Sequence, residues 1–157
     1  MQALHELRTQ IISSMTDELK TDKEEDADEL FQQHIEAQCK RLRILGFTGT
    51  PIIRGNLNAM DKSLLPSLQT VCTEILNNIA KHGKPGAFAF ILSVGPDAVR
   101  IFASNLYNAA INSAPENHYG TALIQDFAQQ HNGTMTINSE NEEWSLSLAI
   151  PLTHQTH

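Results

Sequence analysis

Cysteine is scarce in this sequence: Cys39 and Cys72 are the only two among 157 residues. Two cysteines exclude the dense disulfide framework of a small secreted domain, and their spacing does not match a metal site. Both fall in predicted helices. We therefore interpret them as small core residues of a protein in a reducing, cytoplasmic compartment.

Long apolar runs are also missing. The longest, residues 87–94, is far shorter than the ~20 residues that a membrane helix requires. No signal peptide is visible at the start of the sequence. We therefore expect no membrane contact by this segment.

Basic residues are outnumbered: Lys and Arg total 11 against 18 Asp and Glu, and the formal net charge is -7. This balance argues against the basic footprint of a nucleic-acid-binding protein, so we expect no nucleic acid partner. Hydrophobic residues make up 41% of the chain. That share is enough for the packed core of one ordinary domain with a helical extension.

The clearest periodic stretch runs from Leu64 to His82. Its apolar residues recur at the i, i+3 and i+4 spacing of an amphipathic helix: Leu68, Cys72, Ile75 and Ile79. Gly83 and Pro85 follow at once, in the order that usually ends a helix. The sequence therefore predicts one helix over this stretch.

Polar residues are expected on the opposite side of that helix. Glu74, Asn78 and Lys81 are four and then three residues apart, which stacks them on one stripe, and His82 lies beside them. A carboxylate, an amide and an ammonium together suit a magnesium ion that carries phosphates. From the spacing alone, an ordinary solvated face is the more common explanation of such a stripe.

Two helices are predicted before this stretch and one after it. The first covers residues 2–19, a charged run at 20–29 is interpreted as a linker or an exposed first turn, and the second covers residues 26–45. Gly46 ends the second helix. Its inward-facing residues are expected to be Leu30, Phe31, Ile35, Cys39, Leu42 and Leu45. The later helix covers residues 121–131 and ends at Asn132-Gly133.

Five strand candidates complete the chain: residues 50–54, 87–94, 99–103, 134–138 and 144–150, with a polar turn at 139–142. The apolar run 87–94 predicts a strand buried on both faces or nearly so. Residues 105–119 show no period and are expected to form a long mobile loop. The order predicts an α/β sandwich (α+β): a mostly antiparallel sheet of about five strands, three helices on one face, and an N-terminal helix.

The run Glu-x-x-x-Asn-x-x-Lys-His on a helix, followed by Gly-Lys-Pro-Gly and two strands, resembles the N box of sensor histidine kinases. Their ATP-binding domain belongs to the superfamily shared with DNA gyrase. The resemblance implies that Asn78 binds magnesium and that Glu74 positions water or the attacking group. It also implies that Lys81 and His82 lie near the phosphates.

Two further boxes of that family are matched only in part. The aspartate of the Asp-x-Gly box accepts a hydrogen bond from the adenine amino group. Asn105 stands at its place here, with an oxygen able to accept the same bond. Of the Gly-x-Gly box only Gly120 is present, and with Thr121 it would form the phosphate loop at a helix N-terminus. These departures predict weaker nucleotide binding. His118 is interpreted as an exposed loop histidine in preference to one that meets a phosphate. Trp144 is interpreted as core or rim packing in preference to a residue that leans on the adenine.

Residues 5–9, His-Glu-Leu-Arg-Thr, resemble the phosphoacceptor box of the same family. That box belongs on the first of two helices of a hairpin, whereas only about one further helix precedes the N box in this chain. We therefore interpret His5 as a non-reacting residue. It would lie near the end of the second dimerisation helix, in the subfamily with a short phosphoacceptor domain.

The resemblance covers about residues 26–151. It implies a catalytic ATP-binding domain over residues 24–157, preceded at 1–23 by the end of a dimerisation helix and a linker. The implied enzyme is a protein-histidine kinase that transfers the γ-phosphoryl group of ATP, with Mg²⁺, to a histidine upstream of this chain.

The implied partners are a response regulator and a second copy, held through the N-terminal helix in the full-length protein. The segment is then cytoplasmic, as a free protein or as the soluble part of a membrane-anchored sensor. The rival interpretation is a degenerate nucleotide-binding or non-catalytic interaction module on the same fold, such as a pseudokinase or an anti-sigma-like switch.

Overall fold

Three helices and a five-stranded sheet form the part of the chain that the computed structural model describes, residues 16–107 and 121–152. In chain order the elements are α1 (Thr16–Ile44), β1 (Pro51–Gly55), a 3-10 turn (Leu57–Ala59), α2 (Leu64–His82), β2 (Gly83–Val94), β3 (Ala98–Tyr107), α3 (Thr121–Gln130), β4 (Thr134–Glu140) and β5 (Glu143–Pro151). The architecture confirms the predicted α+β sandwich. His5, His118 and Gly120 lie outside the described residues.

The sheet is mostly antiparallel, as predicted. Its strand order is β1-β2-β3-β5-β4. Only β1 and β2 run parallel, and the other neighbouring pairs are antiparallel. Two hairpins, β2–β3 and β4–β5, therefore meet along β3 and β5, and β1 lies at the free edge of β2.

The core lies between one face of the sheet and the helices. Alternate residues of each strand point to this inner face, as the two-residue period of a strand requires. The inward residues of the central strands are nearly all apolar: Phe88, Phe90, Leu92, Val94, Val99, Ile101, Ala103, Leu146, Leu148 and Ile150. The residues between them on β2, such as Ala89 and Ile91, are only partly buried. The prediction that residues 87–94 are buried on both faces is therefore wrong, because the helices cover one face only.

Helix α1 is continuous through the charged run at 20–29. The prediction that this run forms a linker or an exposed first turn is wrong. The run contains no glycine or proline and continues the helix on both sides. Local side-chain contacts four residues apart support it, as where Gln32 Nε2 donates to Asp28 Oδ1 at 2.9 Å. The division of the chain after residue 23 stays a prediction.

The buried stripe of α1 consists of Phe31, Ile35, Cys39 and Leu42. Leu30 and Leu45 were expected on this stripe, but they are 63% and 51% exposed. Leu30 is rotated by about 100° from Phe31 around the helix, and Leu45 follows the last helical residue. Gly46 ends the helix as predicted: its φ is 100°, and Phe47 N–H donates to Leu42 O at 3.0 Å in a Schellman motif.

Strand β3 is longer than predicted and remains paired up to Leu106, opposite Glu143 of β5. Asn105 therefore lies within a strand and not at the start of a loop. The rest of the predicted loop, residues 108–119, lies outside the described residues.

The polar turn predicted at 139–142 is a two-residue hairpin loop. Asn141 and Glu142 have φ values of 54° and 63°, and the flanking residues pair as Glu140 and Glu143. Positive φ at both central residues is what a type I′ turn requires.

The predicted end of α3 is confirmed. Asn132 adopts a φ of 58°, and Gly133 N–H donates to Ala128 O at 2.7 Å. None of the helices in the described part of the chain is both long and apolar enough to cross a membrane.

Candidate functional site

The polar residues predicted on α2 do not share one solvent-facing stripe. Asn78 is 2% exposed, Glu74 and His82 are half-buried, and Lys81 is exposed. The prediction that Asn78 lies away from the core is wrong. It stands two turns beyond Val71, on the same side of α2, and Val71 lines a groove against α3. Asn78 is buried together with its neighbours Ile75 and Ile79, so it belongs to the core side of α2.

Two polar contacts fix α2 against α1. His34 Nε2 and Thr73 Oγ1 are hydrogen-bonded at 2.7 Å, and an Arg41 N–H group donates to Asn77 Oδ1. Thr73 and Asn77 are one helical turn apart, and each immediately precedes a predicted site residue. The two contacts therefore add to the buried apolar face of α2 in holding this helix against α1.

Asn105 is the second buried polar residue of the site region, at 2% exposure. It lies on the inner face of β3, in register with Phe88 of β2 and Trp144 of β5. Its Nδ2 donates to Leu106 O at 2.8 Å, whereas its Oδ1 is buried and accepts no hydrogen bond from any residue that the structure describes. Buried acceptors are normally satisfied, so this oxygen has an acceptor position that the described residues leave open.

Gly83, the residue that caps the C-terminal end of α2, lies directly against the Asn105 side chain. Its φ is -76°, so the glycine is not needed for a left-handed cap. A Cβ at this position would lie 2.2 Å from Asn105 Nδ2 and 2.5 Å from Ile79 O, well inside van der Waals contact. Only glycine lets the Asn105 amide approach the last turn of α2 this closely. The fold thus brings Asn105 to the C-terminal end of the predicted box.

Sequence reasoning missed Gly83 as a packing position and missed the contacts between α1 and α2. The latter did leave a signal: His34 and Arg41 are seven residues apart on one helix, and Thr73 and Asn77 are four apart on the next. Such spacings place polar residues on matching faces of two helices.

Similar folds occur among solved structures of histidine kinases. The catalytic domain of histidine kinase ThkA, in nucleotide-free form, superposes with a TM-score of 0.60 at 12% identity, over 81% of this chain and 95% of that domain. Histidine kinase AdeS of Acinetobacter baumannii superposes with a TM-score of 0.61 at 11% identity, over 93% of this chain and 81% of that one. The blue-light-activated histidine kinase EL346 of Erythrobacter litoralis superposes with a TM-score of 0.54 at 13% identity, over 90% of this chain and 51% of that one. The fold is that of a histidine-kinase ATP-binding domain. No protein-family model and no curated protein matches the sequence.

Within this histidine-kinase fold, Thr121 is the first residue of α3 and is half-buried. Helix α3 packs beside α2, so its N-terminus belongs to the same helical layer as Asn78. Backbone N–H groups at a helix N-terminus favour an anion. Gly120, which would precede Thr121 in a phosphate loop, lies outside the described residues.

The described side chains form no cluster of three or more His, Cys, Asp or Glu residues able to hold a metal. Such a cluster is not required for Mg²⁺, which proteins usually hold by one or two oxygens together with substrate phosphates and water. Glu74 and Asn78, one turn apart, supply a carboxylate and an amide oxygen of the required kind. Trp144 is fully buried, which matches its interpretation as core packing.

Proposed function

We propose that this chain is the catalytic ATP-binding domain of a sensor histidine kinase. It would use Mg²⁺ to transfer the γ-phosphoryl group of ATP to a histidine located upstream of this chain. The observation that carries the proposal is that Asn78 and Asn105 are the two buried polar side chains among the described residues. These are the residues that the resemblance assigns to the metal and to the adenine.

Asn105 fits the adenine end of ATP. Its Nδ2 is already engaged by the Leu106 carbonyl, so the amide is held with Oδ1 as its free acceptor. The amino group of adenine is a donor and would satisfy this oxygen. The bond would be neutral, without the charge assistance of a carboxylate, and the affinity would be correspondingly modest.

The α2 residues fit the phosphate end. Asn78 would provide an oxygen ligand for Mg²⁺, and Glu74 would orient water or the attacking group. Lys81 and His82 would place positive charge near the phosphates, and Thr121 would add the N-terminus of α3. When bound, Mg²⁺ neutralises charge on the phosphate oxygens. The protein contributes mainly position and charge to such a transfer.

The rival function is a non-catalytic module on the same fold. The asparagine in place of the aspartate and the single glycine of the third box favour it. A response regulator and a second copy of the full-length protein are the partners of the kinase proposal, whereas the rival predicts partner binding without phosphoryl transfer.

Base selectivity tests the proposed orientation of the nucleotide. Calorimetric titration with Mg²⁺ would compare a non-hydrolysable ATP analogue with its inosine counterpart, which carries an oxygen in place of the amino group. The wild type is expected to prefer adenine by roughly five- to tenfold, because a net hydrogen bond contributes about 1 kcal/mol.

The Asn105→Leu variant provides the matched comparison. It is expected to bind both analogues alike, because the side-chain oxygen that would accept from the adenine amino group is gone, and thermal unfolding would verify that the variant folds. Equal adenine preference in both proteins would refute the assignment of Asn105. No nucleotide binding by the wild type would favour the rival function.

A further inference from the structure

The outer face of the sheet, turned away from the helices, exposes an apolar row. Ile52 and Phe102 are 41% and 39% exposed, and Ile91 between them is half-buried. The strand register places these three residues side by side on β1, β2 and β3. Leu106, further along β3, adds another exposed apolar side chain on this face.

A positive row lies next to the apolar one. Arg54, Ser93 and Arg100 are register partners on the same three strands. Two inter-strand spacings separate the arginine backbones, which is about 9.5 Å. Neither arginine makes an ion pair with any residue that the structure describes. Such exposed guanidinium groups on a chain of net charge -7 mark this face as a site for an acidic partner.

The outer face also has a concave part. A hollow of about 410 Å³ lies beside the two rows, and Arg100, Phe102, Ser147 and Ala149 are among its lining residues. The acidic residues on β4 and β5, Glu140 and Glu143, pair at the hairpin end of the sheet. Glu143 is opposite Leu106, six residues from Arg100 along β3, which is about 20 Å. Asp97, in the turn between β2 and β3, is the acidic residue nearest to Arg100 along the chain, three residues away. The arginine end of the face is therefore partly apolar and carries two guanidinium groups against one carboxylate.

The chain itself contains a segment of complementary chemistry. Residues 22–29 of α1, called the acidic segment, hold six acidic residues and one lysine: Asp22, Lys23, Glu24, Glu25, Asp26, Asp28 and Glu29. Leu30, which follows directly, is 63% exposed. Helix α1 packs on α2 and on the 3-10 turn, in the helical layer on the inner side of the sheet. Asp28 and Glu29, the acidic residues of the segment whose side chains the structure describes, therefore do not reach the outer face of their own sheet.

We infer that the outer face of the sheet docks the acidic segment of a second copy of this chain. The carboxylates of Asp28 and Glu29 pair with Arg54 and Arg100, and Leu30 covers part of the apolar row. Each copy has one face and one segment, so two copies form the contact twice or further copies extend it. The inference is independent of nucleotide binding.

Reversing the charges of the face in one variant and of the segment in another tests the inference. The full chain would be studied by sedimentation velocity across a concentration series. The face variant carries Arg54→Glu and Arg100→Glu, and the segment variant carries Asp28→Lys and Glu29→Lys. Arg54, Arg100 and Glu29 are exposed and Asp28 is half-buried, and thermal unfolding would verify that each variant folds. A variant with Arg54→Lys and Arg100→Lys keeps the charge and serves as the matched control.

The wild type and the control are expected to self-associate, more tightly at low than at high salt. Each charge-reversed variant is expected to self-associate at least about tenfold more weakly, because like charges then face each other. An equimolar mixture of the two variants is expected to associate again, since reversed face meets reversed segment. A monomeric wild type, unchanged association of either variant, or a mixture that does not associate would each overturn the inference.

Discussion

Gly83→Ala tests the contact that joins the end of α2 to Asn105. Gly83 has a φ of -76°, which alanine adopts without strain. The effect of the substitution therefore comes from the added methyl group alone. It would lie 2.2 Å from Asn105 Nδ2 and 2.5 Å from Ile79 O. The second atom belongs to the backbone and accepts the Gly83 N–H that closes the helix, so it cannot move without loss of that bond.

The expected cost follows from this geometry. Forcing one carbon into a filled site destabilises a protein by about 1–3 kcal/mol, and each kcal/mol lowers the melting temperature of a chain of this size by roughly 2–4 °C. The Asn105 amide is the other group that must move. Loss of its bond to adenine would weaken nucleotide binding by roughly five- to tenfold.

Thermal unfolding and calorimetric nucleotide titration measure the two effects separately. Gly95→Ala is the matched control, because a Cβ at Gly95 would meet its nearest neighbour, Ala98 O, at 3.5 Å, an ordinary contact. That variant is expected to stay within about 0.5 kcal/mol of the wild type. The reasoning would be refuted if Gly83→Ala and Gly95→Ala behaved alike in both measurements.

Two further predictions concern the hairpin turn and the cysteines. Glu142→Gly places an Asn-Gly pair in the type I′ turn and is expected to stabilise the fold by up to about 1 kcal/mol. The stabilisation would be measured as a rise in the denaturant concentration at the midpoint of unfolding, and a lower midpoint would contradict the turn assignment. Burial raises the pKa of Cys39 to about 11 and raises that of Cys72 further, so both remain neutral thiols at pH 8. A thiol reagent is expected to react with them only in denaturant, and rapid reaction of the native protein would show that they are accessible.

The sequence was sufficient for the parts of the fold that rest on local periodicity. The helix 64–82 and the alternating strands 134–138 and 144–150 were predicted because one buried face imposes its period on the sequence. The charged run at 20–29 was misinterpreted because charge density was weighed above the absence of glycine and proline. At the end of the run the Gln32 amide donates to Asp28 Oδ1, a local contact that composition does not reveal.

The site was predictable in its residue types and not in its geometry. Asn78 and Asn105 were found by spacing and by resemblance, yet both were expected at the surface or in a loop. The burial of Asn105 depends on β3 continuing between β2 and β5, and that of Asn78 on the packing of α2 in the core, which are tertiary contacts. The role of Gly83 likewise arises from residue 105, far along the chain, and no local pattern encodes that approach.

The magnesium dependence of nucleotide binding tests the central claim most directly. The affinity for a non-hydrolysable ATP analogue would be measured with and without Mg²⁺, for the wild type and for Asn78→Ala. The ratio of the two affinities within each protein cancels any general effect of the substitution on the fold. The wild type is expected to gain roughly tenfold or more from Mg²⁺, about 1.4 kcal/mol, and Asn78→Ala is expected to lose nearly all of this gain. An equal gain in both proteins would show that Asn78 does not hold the metal and would contradict the account.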